Sequence, residues 1–255
     1  MTISIAMTAY RRARQLDNTL ASIKAQTMQP DQIVVVEDGD LDKGATRDVC
    51  IKWKNDGLPV EYYQRYHRPP LPYSNPAIPK NISIRKCTGE YLFIQCAEVM
   101  FTKPTDIANM MRPMLEHRSD RNIAVCAPVS GRLPNGDFEK WYAGPNRKGA
   151  GGVEWYLDFC QVQRLDKVLE IGGFEEAYNG YGFDDDDFSY RLRFAGVVSQ
   201  WANDVECHHQ WHGYDGPPLM DDVNHGRYKT AVEELSTGKR TPEANVGKKW
   251  GDINS

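Results

Sequence analysis

The sequence predicts a single-domain α/β protein whose mainly parallel β-sheet is flanked by helices. Short β-branched apolar runs alternate along the chain with segments whose apolar residues recur at helical spacing. Such alternation favours parallel strands, because each helical crossover returns the chain to the same end of the sheet. The length of 255 residues suits one large core.

Each element of the first half has its own signal. The run ISIAM from Ile3 is a short apolar strand. Leu16, Leu20 and Ile23 then share one face of a predicted helix. The run QIVVVE from Gln32 is β-branched in its centre, which is typical of a strand buried on both faces.

The same alternation continues through the next four elements. A second helix is predicted at residues 45–53 and a strand at residues 60–63. The segment NISIRKCTG, residues 81–89, predicts a helix that Gly89 closes. The run EYLFIQ, residues 90–95, predicts the next buried strand.

Charge and cysteine usage exclude several classes of protein. The net charge is −4, so no overall positive field is present to hold nucleic acid or an anionic membrane. The six cysteines include no CxxC pair, which argues against a zinc ribbon or a disulfide scaffold. No run approaches the ~20 apolar residues of a transmembrane segment, and the N-terminus lacks the basic region of a signal peptide. These observations predict a soluble, cytoplasmic protein.

Polar and aromatic residues follow three of the predicted strands directly. Thr8 and Tyr10 follow the first strand, Asp38 follows QIVVVE, and Ala97 with Glu98 follows EYLFIQ. Because parallel strands end at one edge of a sheet, these residues should gather at one crevice. An aromatic ring there stacks on a nucleobase, and carboxylates accept from ribose or uracil or ligate a metal that holds a diphosphate. For any one position alone, the alternative is an ordinary polar loop.

Four segments occur in an order that resembles a known family. They are ISIAMTAYRR, IVVVEDGD, PKNISIRKCTGEYLFIQCAE and EIGGFEEAYNGYGFDDDDFSYRLRFAG. Together they resemble the nucleotide-sugar glycosyltransferases of the GT-A fold, in the family-2-like group. The last segment resembles the C-terminal motif of galactosyltransferase-type enzymes. The resemblance covers residues 3–212 and implies a GT-A, Rossmann-like sheet.

The resemblance implies that the strand-end crevice binds a nucleotide-sugar donor. The residues that match the rim around the base and ribose are Thr8, Tyr10, Arg11 and Asp38. Lys80 and Asn81 match an Arg-Asn pair that helps to hold the diphosphate or its ribose. Lys80 would act there as a point charge, without the bidentate fork of arginine. The alternative makes Lys80 a solvated helix residue and Asn81 a cap.

Four consecutive aspartates, residues 184–187, open a predicted helix. Aspartate in the first turn accepts from unpaired backbone N–H groups and suits the positive end of the helix dipole. Successive helical residues point about 100° apart, so four cannot all cap, and their repulsion requires a positive group or a proton-donating ligand nearby. The resemblance makes Asp185 the catalytic base and places Asp184 and Asp186 among the acceptor contacts. Asp187 is assigned to the helix itself.

The segment expected to bind a metal departs from the family's pattern. Relatives commonly carry Asp-x-Asp after this strand, but Gln95 and Ala97 stand at the two aspartate positions and only Glu98 offers a carboxylate. By resemblance, His209 and His212 match a late histidine pair that contributes to the metal site, with His212 favoured. Imidazole, carboxylate and diphosphate oxygen suit manganese, so Mn²⁺ or Mg²⁺ is expected as cofactor. The alternative is an incidental surface cluster of histidines.

Residues 130–156 are rich in glycine, proline and aromatic side chains. This composition predicts one long loop rather than a further helix and strand. In a glycosyltransferase, a lid over the donor belongs here, with residues 149–152 as its hinge. Trp155, or Tyr156, is the candidate platform for an acceptor ring, and the alternative for Trp155 is a core aromatic.

These assignments divide the chain into three parts. Residues 1–129 are the predicted donor-binding half, and residues 130–212 are the predicted acceptor-binding and catalytic half. Residues 213–255 are expected to form a peripheral helix followed by a loosely held polar tail.

The sequence therefore predicts an inverting, hexosyltransferase-type enzyme. It would move a sugar from a nucleoside-diphosphate sugar, with UDP favoured, to an acceptor hydroxyl whose proton Asp185 takes. A metal on the diphosphate would stabilise the leaving group. The acceptor class stays open among a glycan, a glycolipid or other lipid-linked sugar, a protein and a modified base.

Two other functions fit parts of the sequence. A sugar-nucleotide nucleotidyltransferase shares the alternating sheet, but it would carry a Gly-rich basic loop where this chain has TAYRR. A non-catalytic nucleotide-sugar or carbohydrate-binding module is favoured by QCAE and predicts donor binding without turnover. A metal-dependent hydrolase ranks lower, because no His-Glu-x-x-His helix is present.

Overall fold

The structure, a computed structural model, describes residues 1–39, 42–66, 75–133, 135, 137–144, 159–180, 182–213 and 221–253. Over these ranges the chain forms two β-sheets with helices packed against them. Within the same ranges, no helix has both the length and the apolar character that crossing a bilayer demands.

The strands and helices predicted between residues 3 and 95 are all present, which confirms the α/β alternation. In chain order the elements are β1 (Ile3–Ala9), α1 (Ala13–Lys24), β2 (Gln32–Asp38), α2 (Ala45–Asn55), β3 (Val60–Arg65), α3 (Ala77–Lys86), β4 (Tyr91–Gln95), β5 (Val99–Phe101), α4 (Asp106–Glu116), β6 (Ile123–Cys126), β7 (Val129–Arg132), β8 (Phe138–Ala143), β9 (Cys160–Arg164), α5 (Leu165–Glu170), α6 (Asp184–Phe194), β10 (Val198–Trp201), β11 (Cys207–His209) and α7 (Asp221–Ser236).

The larger sheet has seven strands in the order β10-β6-β9-β4-β1-β2-β3. Neighbouring strands are parallel except at β9, which pairs antiparallel with β4 and β6. In the centre, Ile5 of β1 is in register with Ile33 of β2 and Phe93 of β4. The predicted mainly parallel sheet is confirmed, and β1, β2 and β4 end at one edge. Since β9 lies between β4 and β6, the two predicted halves of the chain share this sheet.

The hydrophobic core lies on both faces of the larger sheet. Successive residues of a strand point to opposite faces; in β1, Ile5 joins the cluster that includes α1, and Ala6 joins the cluster that includes α3 and α6. Leu16 and Leu20 of α1 are completely buried, as their spacing predicts. Phe188 of α6 is also completely buried. The helix that carries the four aspartates is therefore anchored to the sheet by apolar packing.

The smaller sheet, with strand order β5-β11-β7-β8, is not predicted by the sequence. Its strands β7 and β8 form an antiparallel pair, so a continuous loop over residues 130–156 is wrong for residues 130–132 and 138–143. These strands are short, and two of the three pairings in this sheet join segments far apart in the chain, which leaves little local pattern to detect. The rest of the predicted loop, from residue 145 to 156, falls outside the described ranges.

The predicted end of the third helix at Gly89 is wrong. Helix α3 ends at Lys86, and Cys87 is already extended. Gly89 instead lies against β1, where a Cβ atom would come within 2.6 Å of the backbone nitrogen of Ser4. Its N–H donates to Ser4 Oγ over 2.8 Å. Glycine is needed here because the two backbones approach closely.

Residues 221–253 are packed into the domain. Helix α7 lies directly against α6, and its Tyr228 and Ala231 are buried. Beyond the helix, Ala244 and Asn245 are buried as well, and Asn245 donates to the carbonyl of Gly172, 73 residues earlier. The expected helix is therefore present, as α7. Ala244 and Asn245 do not lie in a loosely held tail, because they pack against partners too distant in sequence for a local pattern to reveal.

Candidate active site

The rim predicted to hold a base lies at the carboxyl end of β1. Thr8 and Tyr10 are half-buried there, and the guanidinium of Arg11 lies 5.7 Å from the centre of the Tyr10 ring. Arg11 has a φ of 54°, in the left-handed region that non-glycine residues seldom adopt. Strained backbone of this kind clusters at ligand sites. The strand edge thus presents an aromatic ring with a cation beside it.

Asp38 ends β2 next to the end of β3. Arg65, its register partner on β3, donates from Nη1 to Asp38 Oδ1 over 2.9 Å, and both side chains are 4% exposed. The pair therefore fixes the position of the Asp38 carboxylate at the edge of the sheet, where the contact to a base or ribose is predicted.

Lys80 joins the strand edge to the aspartate-bearing helix. Helix α3 follows β3 and leads back to β4, so its first turn, which carries Lys80, lies at the carboxyl edge of the sheet. Lys80 Nζ donates to Asp184 Oδ2 over 2.9 Å and lies 4.6 Å from the centre of the Phe174 ring. The start of α6 is thus held at the same edge as the predicted donor contacts.

Four adjacent aspartates are compatible with a stable helix because two of them have cationic partners. Asp184 pairs with Lys80, and Asp187 accepts from Arg191 Nε over 2.7 Å. Asp187 and Arg191 are both buried, which agrees with the assignment of Asp187 to the helix. Asp186 is buried too, while Asp185 is half-exposed and its Oδ1 accepts from the Asp186 N–H over 3.0 Å. Asp185 is therefore the most accessible carboxylate of the four.

Asn81 is completely buried and faces a loop, not the crevice rim. Its Nδ2 donates to the Phe174 carbonyl over 2.8 Å and to Glu176 Oε1 over 2.9 Å, and its Oδ1 accepts from the Phe174 N–H over 2.8 Å. These bonds give Asn81 a structural role. A contact between Asn81 and the diphosphate stays a prediction.

Glu98 lies in the turn between β4 and β5. Arg12 Nε donates to Glu98 Oε1 over 2.8 Å, with side-chain exposures of 10% and 17%. Gln210, which directly follows β11, donates from its backbone N–H to the Glu98 carbonyl over 2.9 Å. Gln95, at the first expected aspartate position, is buried and donates to the Val99 carbonyl over 2.7 Å. In this protein, Gln95 stabilises the turn that presents Glu98.

His209 and His212 lie beside this turn, with their ring centres 5.1 Å apart. Burial lowers the pKa of His209 to about 4, while the nearby charge of Glu98 opposes the shift and His212 and Arg12 add to it. His209 is thus neutral at pH 7, the form in which imidazole binds metals. Nδ1 of His212 contacts the Gly213 carbonyl over 2.5 Å, so in the neutral ring this nitrogen carries the proton and Nε2 keeps its lone pair.

The metal-ligating side chains present here fit a divalent cation only if a substrate supplies further ligands. Among the residues that the structure describes, no three His, Cys, Asp or Glu side chains converge on one point. Glu98, His209 and His212 nevertheless share one corner of the site. His209 is the register partner of Val99, which directly follows Glu98. The ring centre of His209 lies 5.1 Å from that of His212. Mg²⁺ is commonly held by one or two carboxylates plus substrate phosphates. A nucleoside diphosphate would complete such a coordination shell here.

Three side chains that shape the site were not identified from the sequence. Arg12 orients Glu98, Arg65 pairs with Asp38, and Gln210 brings the end of β11 against α1. The ion pair of Arg65 could have been predicted from the sequence, since an arginine at the end of one strand next to an aspartate at the end of another favours such a pair. For Gln210 there was none, because its partners are 112 to 195 residues away.

One predicted site residue has no description. Trp155, the proposed acceptor platform, falls in the undescribed range 145–158, as does the whole of the predicted hinge, residues 149–152. Their roles stay predictions.

The fold and this edge define a class of protein. A mainly parallel sheet whose strand ends present aromatic, acidic and basic groups, with an aspartate-rich helix start beside them, is the arrangement of GT-A proteins. The family model described as "Glycosyl transferase family 2" matches residues 4–148, which is more than half of the chain. The chain therefore belongs to the glycosyl transferase family 2.

Solved structures of the same fold include three glycosyltransferases. GalNAc-T7 with UDP, GalNAc and Mn²⁺ gives a TM-score of 0.68 at 16% identity, over 91% of this chain and 48% of that one. The mannosyltransferase PcManGT from Pyrobaculum calidifontis, with GDP-Man and Mn²⁺, gives 0.60 at 17%, over 92% and 73%. S. aureus TarS with UDP-GlcNAc gives 0.68 at 13%, over 93% and 66%.

At these identities the likeness shows the fold alone. The chain spans about half of the GalNAc-T7 chain and just under two thirds of the TarS chain, with covered shares of 48% and 66%. No curated protein sequence matches the chain.

Proposed function

We propose that this protein transfers a sugar from a nucleoside-diphosphate sugar to an acceptor hydroxyl, with inversion at the anomeric carbon. The observation that carries the proposal is the Lys80–Asp184 ion pair of 2.9 Å. It ties the start of α6 to the strand edge, where a GT-A protein holds its donor. Asp185, the next residue, then has the position and the exposure to meet an acceptor.

In this mechanism, Asp185 is the general base. It accepts the proton of the acceptor hydroxyl while the hydroxyl oxygen bonds to the anomeric carbon, on the face opposite the nucleotide. The bond from the anomeric carbon to the diphosphate oxygen breaks, and a nucleoside diphosphate leaves. A single displacement of this kind inverts the configuration of the carbon.

The donor contacts are proposed at the ends of β1, β2 and α3. The Tyr10 ring stacks on the base, Asp38 accepts from the base or ribose, and Lys80 and Arg11 supply positive charge for the diphosphate. We assign UDP as the nucleotide, since a carboxylate at Asp38 suits the N–H of uracil, and since GalNAc-T7 and TarS were solved with UDP or a UDP-sugar. The GDP-mannose of PcManGT keeps guanine as the alternative base.

A divalent cation, Mn²⁺ or Mg²⁺, is proposed as cofactor. Glu98 and His212 would hold it, with His209 beside them, and the diphosphate of the donor would supply the other ligands. When bound, the cation supplies Lewis-acid stabilisation of the leaving diphosphate. Arg12 holds the Glu98 carboxylate in place over 2.8 Å.

The acceptor and the location of the protein are proposed more broadly. Asp184 and Asp186 remain candidate acceptor contacts, and the acceptor is a glycan, a glycolipid or a protein. No disulfide joins any two of the six cysteines, all of which lie in the described residues, and this suits the reducing environment of a cytoplasm.

A panel of nucleotide sugars tests the proposal. Binding is measured by calorimetry with Mn²⁺ present or chelated, and turnover by release of nucleoside diphosphate with a panel of hydroxyl acceptors. We expect one UDP-sugar to bind most tightly, with tighter binding when Mn²⁺ is present, and to release UDP only with an acceptor. Binding without turnover on every acceptor would favour a non-catalytic module, and release of pyrophosphate would favour a nucleotidyltransferase.

A further inference from the structure

The loop of residues 171–176, which leads towards the aspartates, is enclosed on two sides. Gly172 and Gly173 have φ angles of +74° and +65°. A Cβ atom on Gly172 would lie 2.3 Å from the Ala244 carbonyl oxygen, and one on Gly173 would lie 2.4 Å from Asn81 Oδ1. No side chain fits at either glycine, so the loop has direct backbone contact with α3 on one side and with the C-terminal segment on the other.

Asn245 holds this loop from the C-terminal side. Its Nδ2 donates to the carbonyls of Gly172 and Phe174 over 2.9 and 2.7 Å, and its Oδ1 accepts from the Glu176 N–H over 3.0 Å. The side chain is 4% exposed, and its φ of 55° is one that asparagine tolerates better than most residues. All of these bonds go to backbone groups, so they fix the path of the loop whatever its side chains are.

Phe174 transmits this constraint to the site. Its carbonyl accepts from both Asn245 and Asn81, so the residue is clamped between them. Its ring stacks on Phe188 of α6 with the ring centres 4.2 Å apart, and the ammonium of Lys80 lies 4.6 Å from its centre. Lys80 is the residue that binds Asp184, so a shift of Phe174 moves the support of that ion pair.

Arg191 links the same loop to the aspartate helix. It donates to the carbonyls of Ile171 and Gly173 over 3.1 and 2.8 Å, and to Asp187 over 2.7 Å. The loop is therefore hydrogen-bonded to α6 as well as to the C-terminal segment, and the three parts form one connected unit.

Helix α7 holds the turn directly before the aspartates. Asn224, which is 1% exposed, donates from Nδ2 to the Gly182 carbonyl over 3.1 Å. The Phe183 ring stacks on Tyr228 with the ring centres 5.6 Å apart, and Phe183 has a φ of 67°. A non-glycine residue in this conformation needs support from its surroundings. The turn that aims Asp184 and its neighbours is thus supported by α7.

We propose that residues 221–253 form the positioning element for the aspartates at the start of α6, and so for Asp185, with Asn245 and Asn224 as its two positioning residues. Neither side chain contacts a substrate; each acts through the backbone on one side of the aspartate helix. The proposal rests on the proposed function for its kinetic assay. A displacement of the base by about 1 Å is enough to slow catalysis on the order of 10²-fold.

Asn245→Asp tests the idea, because it keeps the size of the side chain while replacing the donating amide with an oxygen that faces two carbonyls. We expect kcat to fall on the order of 10²-fold while KM for the donor stays within about twofold, since the donor contacts at β1 and β2 are untouched. Asn55→Asp, on the exposed end of α2, is the matched control and should leave both constants unchanged. An unchanged kcat in folded Asn245→Asp would overturn the proposal.

Hydrogen exchange separates this proposal from the proposed function. Faster exchange of the amides at residues 172–176 and 184–187 in Asn245→Asp supports positioning even where no donor is turned over, and unchanged exchange at residues 184–187 overturns it. Absence of turnover in the wild-type protein overturns the enzymatic function alone. Asn224→Ala gives the same readouts from the α7 side and replaces Asn245→Asp where that variant does not fold.

Discussion

The strands and helices of residues 3–95 and the C-terminal segment of residues 221–253 support the same site by different interactions. In the first region, apolar side chains such as Leu20 and Val34 are completely buried on the faces of the sheet. In the second, Asn224 and Asn245 bond to the backbone of the loops around the aspartates. Apolar burial is non-directional, whereas a hydrogen bond requires a defined distance and angle. The first region therefore builds the sheet and its edge, and the second fixes the backbone on both sides of the aspartates.

The largest expected effect is at Asp185, the proposed base. Asp185→Asn keeps the shape of the side chain but cannot accept a proton, so we expect turnover to fall about 10²- to 10⁴-fold, the usual contribution of general base catalysis. Donor affinity measured by calorimetry should stay within about twofold, since no donor contact is removed.

Asp48→Asn is the control, because Asp48 is an exposed aspartate near the start of α2. A loss of donor binding in Asp185→Asn would place this residue on the donor side and contradict its role as base.

Arg191→Leu tests how far the aspartate helix depends on polar contacts. The substitution leaves the buried Asp187 carboxylate without its cation and two loop carbonyls without their donor. Breaking a buried ion pair costs about 3–5 kcal/mol, so unfolding in urea should shift by that amount. Arg193→Leu, exposed on the same helix, should shift it little. Equal effects of the two changes would mean that the buried network contributes no more than a surface charge.

Leu20→Ala tests the apolar region. Leu20 is completely buried between α1 and the sheet, and such truncations cost about 2–5 kcal/mol in unfolding free energy. We expect kcat of the folded protein to stay unchanged, measured well below the melting temperature. Ile51→Ala, at 49% exposure, is the control. A fall in kcat as large as that expected for Asn245→Asp would remove the distinction between the two regions.

The smallest expected effect is a pH dependence at His209. Burial lowers its pKa from 6.5 to about 4, so the folded protein favours the neutral ring. The resulting stability is present above the unfolded pKa and is lost as the pH falls towards 4. In metal-free buffer, the unfolding free energy of wild type should fall by roughly 2 kcal/mol more than that of His209→Phe between pH 7 and pH 4.5. Parallel pH curves for the two proteins would contradict a buried neutral His209.

Local sequence patterns were sufficient to predict the helices and strands up to residue 95 and part of the candidate site. Helical spacing placed Leu16, Leu20 and Ile23 on a buried face, and residues at the ends of successive strands do lie at one edge. The need for positive charge beside four aspartates also followed from electrostatics, and the structure supplies it at Lys80 and Arg191.

The remaining features depend on partners that are far apart in the chain. The smaller sheet pairs β11 with β5 and β7, and Gly89 is required by its approach to Ser4, not by the end of a helix. Arg12 reaches Glu98 across 86 residues. No short stretch of sequence contains both members of such a pair, so local composition and periodicity do not predict the contact.

The sequence by itself determined the α/β class, the order of its strands and helices to residue 95, and the residues that meet at the strand ends, because periodic burial and parallel crossovers act locally. Tertiary structure alone decided which aspartate is accessible, which cations pair with Asp184 and Asp187, and that residues 221–253 pack against the aspartate helix and the loop before it. These outcomes depend on single hydrogen bonds between distant segments, and their geometry exists only once the chain is folded.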